Sequence, residues 1–348
     1  MEKLFFPLNV AKMSDSQEFR LSLQAVLRNV YGNELLVDAV DRLSGGASQE
    51  TWLLRLSKGN APETLILRRA PEGVEKSPDS AAIGLANEAK LIQAAEAAGV
   101  PVPKVVRVLE DDNGLGDGFF MNRVEGETIA RRILRDEKFS KARQVLPEQC
   151  GKALAGIHSI DVQAGDPPLK LSSGLDQLTY YEDIYKSTGA YRPIFDLAMV
   201  WLRENAPDPV APVLVHGDFR LGNIMVDESG LAAVLDWELC HIGDPREDIA
   251  WMCTNSWRFG HAEKRLGGFG DVEPLLDAYA KQGGQQFTPS DIDWWEMLGS
   301  MKWGVMCMTM YESFRSGADS GVERAAIGRR VSETEMDLIN LLEDQPRA

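Results

Sequence analysis

Residues 213–236 read VLVHGDFRLGNIMVDESGLAAVLD. Three apolar segments, Val213–Val215, Ile224–Val226 and Leu231–Leu235, alternate with polar groups: His216-Gly217-Asp218, then Asn223, then Asp236. The runs Ile224–Val226 and Leu231–Leu235, bounded by turn residues, predict two small strands, and the polar groups fall on the loop around them. Asp and Asn also favour turns through their own backbone hydrogen bonding. Taken singly, each polar group reads as a turn residue; together, in this order, they predict a built site.

The surrounding chain has the composition of a soluble globular protein. Its 348 residues allow one large domain or two lobes. Hydrophobic residues make up 44% and charged residues 26%, an ordinary globular balance. The net charge of −16 argues against nucleic acid or an anionic membrane surface as a partner. It suits a cationic substrate only weakly. Cys150, Cys240, Cys253 and Cys307 are far apart with no C-x-x-C pair, which predicts free thiols in a reducing compartment. Pro7 breaks the short apolar patch at the N-terminus and no apolar run approaches the length of a span. A cytoplasmic protein without membrane insertion is therefore expected.

Residues 14–31 predict a helix, opened by Ser and Asp caps and stopped by Gly32. Strand, glycine-bearing turn, strand, loop and strand follow, in VDAVDRLSGGASQETWLLRLS and ETLILRRAP. The alanine-rich run Ser80–Ala98, closed by Gly99 and prolines, predicts a second helix. KVVRVLE and GFFMNRVEG predict two more strands. From about 127 to 205 the apolar spacing is helical, residues 213–236 read as a loop with two small strands, and the segments beyond Pro245 read as helices. The shift in character falls near residue 124.

Phosphoryl transfer requires a group to orient the attacking hydroxyl, ligands for Mg²⁺, and positive charge over the phosphates. Asp218 suits the first task; the Asn223 amide oxygen and the Asp236 carboxylate suit the second, since Mg²⁺ prefers hard oxygen donors. HGDFRLGN resembles the H-x-D-x-x-x-x-N loop of kinases, with LDWE where Asp-Phe-Gly stands in protein kinases. In this form, with GDPREDIAWM downstream, the chain resembles the aminoglycoside phosphotransferase/choline kinase-like family over roughly residues 35–315. The resemblance implies an α+β, bilobal protein-kinase-like fold: a small N-lobe (1–123) with an antiparallel sheet plus helix, and a large, mainly helical C-lobe (124–348). It implies an ATP- and Mg²⁺-dependent enzyme that phosphorylates a hydroxyl of a small molecule. Asp248 would brace the catalytic loop through backbone hydrogen bonds.

The same resemblance assigns the N-lobe. LSGGASQETW would cover the phosphates, with Gly45 and Gly46 allowing close approach and Ser48 as a phosphate contact. Arg68 stands where kinases carry Lys, and strand alternation favours it over Arg69. Glu88 would pair with it from the following helix. Adenine would meet backbone groups near Asn122–Val124. LRRAP, GVPVPKV and WWEMLGSMKWGVMCMTMYESF resemble kinase-like domains associated with acyl-CoA dehydrogenases, which implies a hydroxylated acyl acceptor. An aminoglycoside or macrolide kinase is the alternative acceptor reading, and a nucleotide-binding module without catalysis the alternative of another class.

Other residues divide between structure and chemistry. His216 reads as a packing residue of the loop. Glu238 could approach the substrate or a second metal, or be a solvated loop carboxylate; Arg220 could touch the transferred phosphate or lie exposed. Trp294, Trp295 and Trp303, at helical spacing, read as core with an acceptor pocket as the sharper alternative. Met306, Met308 and Met310 read as core filler.

Overall fold

The computed structural model describes residues 10–43, 49–59, 61–71, 82–109, 114–162, 166–319 and 321–344, with side chains from residue 17 onward. Gly45, Gly46 and Ser48 lie outside the described residues. The chain folds as two compact units, residues 1–93 with 103–124, and residues 94–102 with 125–348.

The first unit is a five-stranded antiparallel sheet with helix α1 (Val10–Tyr31) and the greater part, to Gln93, of helix α2 (Leu85–Ala97). Helix α1 begins ahead of the Ser14–Asp15 cap candidates and ends where Gly32, at φ +93°, donates its N–H to the Arg28 carbonyl. Strands β1 (Leu35–Leu43), β2 (Glu50–Lys58), β3 (Ala61–Arg69), β4 (Val105–Val108) and β5 (Gly118–Asn122) lie in the order β1-β2-β3-β5-β4. Leu23, Val26 and Leu27 of α1 form one core with Leu54, Leu56, Leu65, Leu67 and Phe120 of the sheet. Side chains alternate across a strand, so Leu65, Leu67 and Arg69 share the face toward α1. The Arg69 guanidinium accordingly sits 4.5 Å from the Phe19 ring centroid. Arg68 belongs to the opposite face.

The second unit is mainly helical. Its first helices are α3 (Ala130–Arg135), α4 (Ser140–His158), α5 (Gly174–Ser187) and α6 (Pro193–Glu204). Four short strands follow: β6 (Val213–Val215), β7 (Ile224–Asp227), β8 (Gly230–Val234) and β9 (His241–Gly243). They make two antiparallel pairs, β6 with β9 and β7 with β8. The sequence pattern revealed only β7 and β8; β6 and β9 are three residues each, too short for a period of two to register. Helices α7 (Arg246–Cys253), α8 (Glu273–Lys281), α9 (Asp293–Ser316), α10 (Val322–Gly328) and α11 (Val331–Glu343) complete the unit. The segment predicted as one helix from Pro245 to Trp257 stops at Cys253 and continues as a 3₁₀ turn over Asn255–Trp257.

Helix α9 is buried on every side from Trp294 to Val305, its charged Glu296 and Lys302 included. Trp294 and Trp295 are core residues, and the Trp294 indole N–H donates to the Leu202 carbonyl at 2.8 Å. Helix α4 holds the β7–β8 hairpin: the Gln149 side chain accepts from Leu231 N–H at 2.7 Å and donates to the Ser229 carbonyl. No described helix is long and apolar enough to cross a membrane.

The α4–α8 contact depends on a missing side chain, because a Cβ on Gly151 would lie 2.3 Å from the Leu275 carbonyl oxygen. Gly151→Ala should therefore separate the two helices and lower stability in urea unfolding by about 1–3 kcal/mol, despite alanine's better helix propensity. A variant as stable as wild type would show that this contact carries no packing constraint.

Candidate active site

Strand β6 delivers the chain to His216, and there the backbone turns sharply. Gly217 has φ +82°, and a Cβ in its place would meet the Leu239 carbonyl oxygen at 2.5 Å. The turn is clamped by Asp248, which is fully buried in α7. One of its oxygens accepts the Gly217 N–H at 2.9 Å, the other the His216 N–H at 2.8 Å. The second oxygen also meets His158 Nε2 at 3.1 Å, and His158 Nδ1 lies 2.9 Å from the Tyr279 hydroxyl. A buried carboxylate needs this degree of satisfaction. Asp248 thus braces the loop through backbone hydrogen bonds, and His158 and Tyr279 are further members that sequence reading missed.

His216 is fully buried between Trp237 and Phe219. Its Nδ1 accepts the Asp218 N–H at 3.3 Å, which leaves the proton on Nε2, 3.1 Å from the Leu235 carbonyl. Burial pushes its pKa below the ordinary histidine value, outweighing the carboxylates of Asp248, Asp218 and Asp236. A neutral imidazole joining the loop to the end of β8 is a packing element, not a base aimed at substrate.

The Asp218 carboxylate is held on both oxygens. Trp251 Nε1–H donates to Oδ1 at 2.6 Å, and the Arg220 guanidinium grips the pair, with Nε at 2.8 Å from Oδ1 and Nη2 at 3.2 Å from Oδ2. Arg220 also stacks on Trp257, 4.3 Å from the ring centroid. Asn223 donates its amide N–H groups to the Asp218 carbonyl and to Oδ2. That fixes which way the amide faces: its nitrogen is committed to Asp218, so its oxygen is the atom presented elsewhere.

Asp236 is brought to Asn223 by the backbone, since Leu235 N–H donates to the Asn223 carbonyl at 2.8 Å. Asp236 itself is left-handed, at φ +66° and ψ +64°, and caps the 3₁₀ turn Trp237–Leu239. Non-glycine residues seldom take this conformation, Asp and Asn being the most tolerant. The kink ends β8 and re-aims the side chain. An amide oxygen and a carboxylate on adjacent segments are a donor set that fits Mg²⁺.

In the first unit Arg68 and Glu88 meet: Nε lies 3.0 Å from Oε1 and 3.2 Å from Oε2, with both side chains largely buried. Arg69 is in a different cluster, donating to Glu50 at 2.9 Å and to the Leu115 carbonyl. The Asn122 N–H is spent inside the sheet on the Lys104 carbonyl, and Val124 lies beyond the end of β5. Trp303 packs against Trp257 in a tilted arrangement, with centroids 4.8 Å apart, which places it in the aromatic packing behind Arg220.

Removing the clamp should be costly. Asp248→Ala leaves two buried N–H groups and His158 without their acceptor and should destabilise the protein by about 3–5 kcal/mol. Hydrogen exchange at the His216 and Gly217 amides should rise more than elsewhere; unchanged protection there would contradict the clamp. Titration of His216 gives a second expectation. A folded-state pKa below the unfolded one contributes stability that is present above the unfolded value and lost as pH falls. Wild type should lose stability as pH drops below about 6.5, and His216→Gln should lose less over that window; equal pH slopes would refute the buried neutral imidazole.

Comparison with known proteins follows the geometry. The model of a phosphotransferase enzyme family, APH, matches residues 39–293. Acyl-CoA dehydrogenase family member 10 of Mus musculus is 32% identical over 218 residues, 60% of this chain and 19% of that protein. Human acyl-CoA dehydrogenase family member 11 is 28% identical over 319 residues, 84% of this chain and 39% of that protein. The chain thus spans well under half the length of these curated relatives. A Ralstonia eutropha crystal structure assigned as an aminoglycoside phosphotransferase superposes with a TM-score of 0.72 at 22% identity, over 94% of this chain and 99% of that one. At such identity the likeness concerns the fold, which is kinase-like. With the family model spanning more than half of its residues, the chain belongs to the APH phosphotransferase enzyme family.

Proposed function

We propose that this protein transfers the γ-phosphoryl group of ATP, with Mg²⁺, to a hydroxyl of a small molecule. One observation carries the reading: within one continuous segment Asn223 is hydrogen-bonded both to Asp218 and to Leu235, the residue before Asp236, and Asp248 holds that segment at its turn. Family membership and the kinase-like fold support it.

In this reading Asp218 orients the acceptor hydroxyl. The acceptor oxygen bonds to the γ-phosphorus, the bond from that phosphorus to the β–γ bridging oxygen breaks, ADP leaves, and the hydroxyl proton passes to the Asp218 carboxylate. Asn223 and Asp236 would hold Mg²⁺, which when bound neutralises charge on the phosphate oxygens. Arg68, fixed by Glu88, is assigned to the nucleotide phosphates, and Ser48 is assigned to them on the sequence pattern alone. Backbone groups near Asn122–Val124 are assigned to adenine, through atoms other than the Asn122 N–H.

A hydroxylated acyl compound is the acceptor class we favour, because the curated relatives are acyl-CoA dehydrogenase family members. The rival is an aminoglycoside or similar antibiotic, the class carried in the name of the Ralstonia structure. Cytoplasmic location belongs to the same proposal and rests on the wide spacing of the four cysteines in the sequence, with no C-x-x-C pair.

A panel of hydroxyacyl compounds and antibiotics, incubated with the protein and labelled ATP, separates the two by which product gains label. Asp218→Ala should lower acceptor-dependent ADP release by about 10²–10⁴-fold while nucleotide still binds. Asp236→Asn keeps a residue that tolerates the left-handed backbone but lacks the carboxylate, so it should fold normally and lose Mg²⁺-dependent nucleotide affinity. Wild-type turnover in the first variant, or wild-type affinity in the second, would remove that residue from the proposed role.

A further inference from the structure

Asp218 is held by an arrangement that extends well behind the loop. Trp251, whose indole N–H bonds Oδ1, lies on α7 and packs edge-on against Trp257 at 5.3 Å. Trp257 in turn supports Arg220, the other partner of the same carboxylate. These two indoles are buttressed by consecutive residues of α9. The Lys302 ammonium sits over the Trp251 ring, 5.0 Å from its centroid, and Trp303 packs tilted against Trp257 with centroids 4.8 Å apart. One turn earlier on α9, a Cβ on Gly299 would lie 3.4 Å from Trp251 Cε3 and 2.7 Å from Thr254 Oγ1, so the helix approaches as closely as a glycine permits.

The lysine is fixed in turn. Glu247 stands one helical turn before Trp251, on the same face of α7. Its Oε1 meets Lys302 Nζ at 3.4 Å, while Oε2 accepts from Gln177 at 2.6 Å and meets His241 Nε2 at 3.0 Å. Burial pushes Glu247 up, but His241 and Lys302 outweigh it and hold the carboxyl down at about 2. Burial likewise opposes the Lys302 charge, yet Tyr181, Glu247 and Asp218 raise its pKa above the ordinary lysine value. An ionised ammonium over the face of an indole is an attractive contact, stronger when desolvated. Such a charge also polarises the N–H at the ring edge toward its carboxylate acceptor.

We propose that Lys302 is a positioning residue for catalysis, which through Trp251 fixes the Asp218 carboxylate in the orientation that meets the acceptor hydroxyl. Glu247, held by Gln177 and His241, keeps the ammonium over the ring. A carboxylate that orients a nucleophile must be held within a fraction of an ångström, and misplacement by about 1 Å can cost ~10²-fold in rate. The proposal rests on the assignment of Asp218 as the orienting carboxylate.

The test uses the full chain and two readouts. Tryptophan labelled with ¹⁵N gives one indole signal for each of the eight tryptophans, and the Trp251 signal is the one lost in Trp251→Phe. Turnover is read as ADP release from Mg-ATP with water as acceptor. Lys302→Met should move the Trp251 indole proton toward its unbonded position. It should also lower ADP release about 10–100-fold with nucleotide affinity within about twofold, and Lys302→Arg should restore most of both. Should Lys302→Met not fold because Glu247 loses its ammonium partner, the pair Glu247→Gln with Lys302→Met removes both charges and is read in the same way. A folded variant lacking the ammonium, with the Trp251 signal and ADP release unchanged, overturns the proposal. Asp218→Asn separates the two layers: a wild-type rate there refutes the role of Asp218, whereas loss of activity there with no effect at Lys302 refutes only the role of Lys302.

Discussion

The Asp248 carboxylate, buried in α7 and accepting two consecutive backbone N–H groups, is the contact on which the rest of the site depends. An ionised carboxylate in a fully buried position is costly unless each oxygen is satisfied. Here the donors come from His216 and Gly217, at the end of a strand, and from His158, at the end of α4. Three separate elements therefore meet at one charge. Because the two amides are adjacent and both point inward, the chain must turn between them, which is why a glycine at φ +82° stands at that point. The direction in which residue 218 leaves the turn is then already set.

A second constraint closes the other end of the segment. The Asn223 carbonyl receives the Leu235 N–H, and His216 reaches the Leu235 carbonyl. The residue before Asp236 is thus tied both to the turn and to the loop. The left-handed backbone at Asp236 is strain that persists only where its surroundings over-determine it. The hairpin secured by Gln149 on one side and the buried Trp237 on the other provide that determination. Strain at a residue whose carboxylate is proposed to meet a metal is the expected place to find it.

Much of this was legible because it is local. Asp218, Asn223 and Asp236 lie in one continuous run whose apolar segments mark the strands, and the spacing of the polar groups survives folding. The alternation of β3 separated Arg68 from Arg69 before any coordinates: one pairs with Glu88, the other lies over Phe19 on the opposite face. What the sequence did not reveal is long-range. Lys302 meets Glu247, and Trp251 meets Asp218, through the packing of α9 on α7. Nothing in a helix that is buried on all sides says which neighbour each residue will face. The aromatic run on α9 was weighed as core or pocket, and its structural role is divided. Trp294 and Trp295 are core, while Trp303 supports the Trp257 that carries Arg220. The strands β6 and β9 were missed for a simpler reason, being too short to show a period.

The net charge of −16 invites a reading in which a cationic acceptor is drawn to an acidic protein. The local arrangement removes the force of that argument. Asp218 is matched by Arg220 and Trp251, Glu247 by Lys302 and His241, Asp244 by Arg246, and Asp248 by backbone donors and His158. Each of these carboxylates has its compensating donor within hydrogen-bonding or ion-pairing distance. Surface charge acts over about a Debye length, roughly 8–10 Å at physiological salt, whereas groups in a buried site interact at closer range and with less screening. The field at the Asp218 carboxylate is therefore set by Arg220, Lys302 and the Trp251 dipole rather than by the sum over the chain. In the proposed reaction, discrimination at the Asp218 carboxylate would rest on those neighbours, and the excess acid of the chain bears on solubility and encounter.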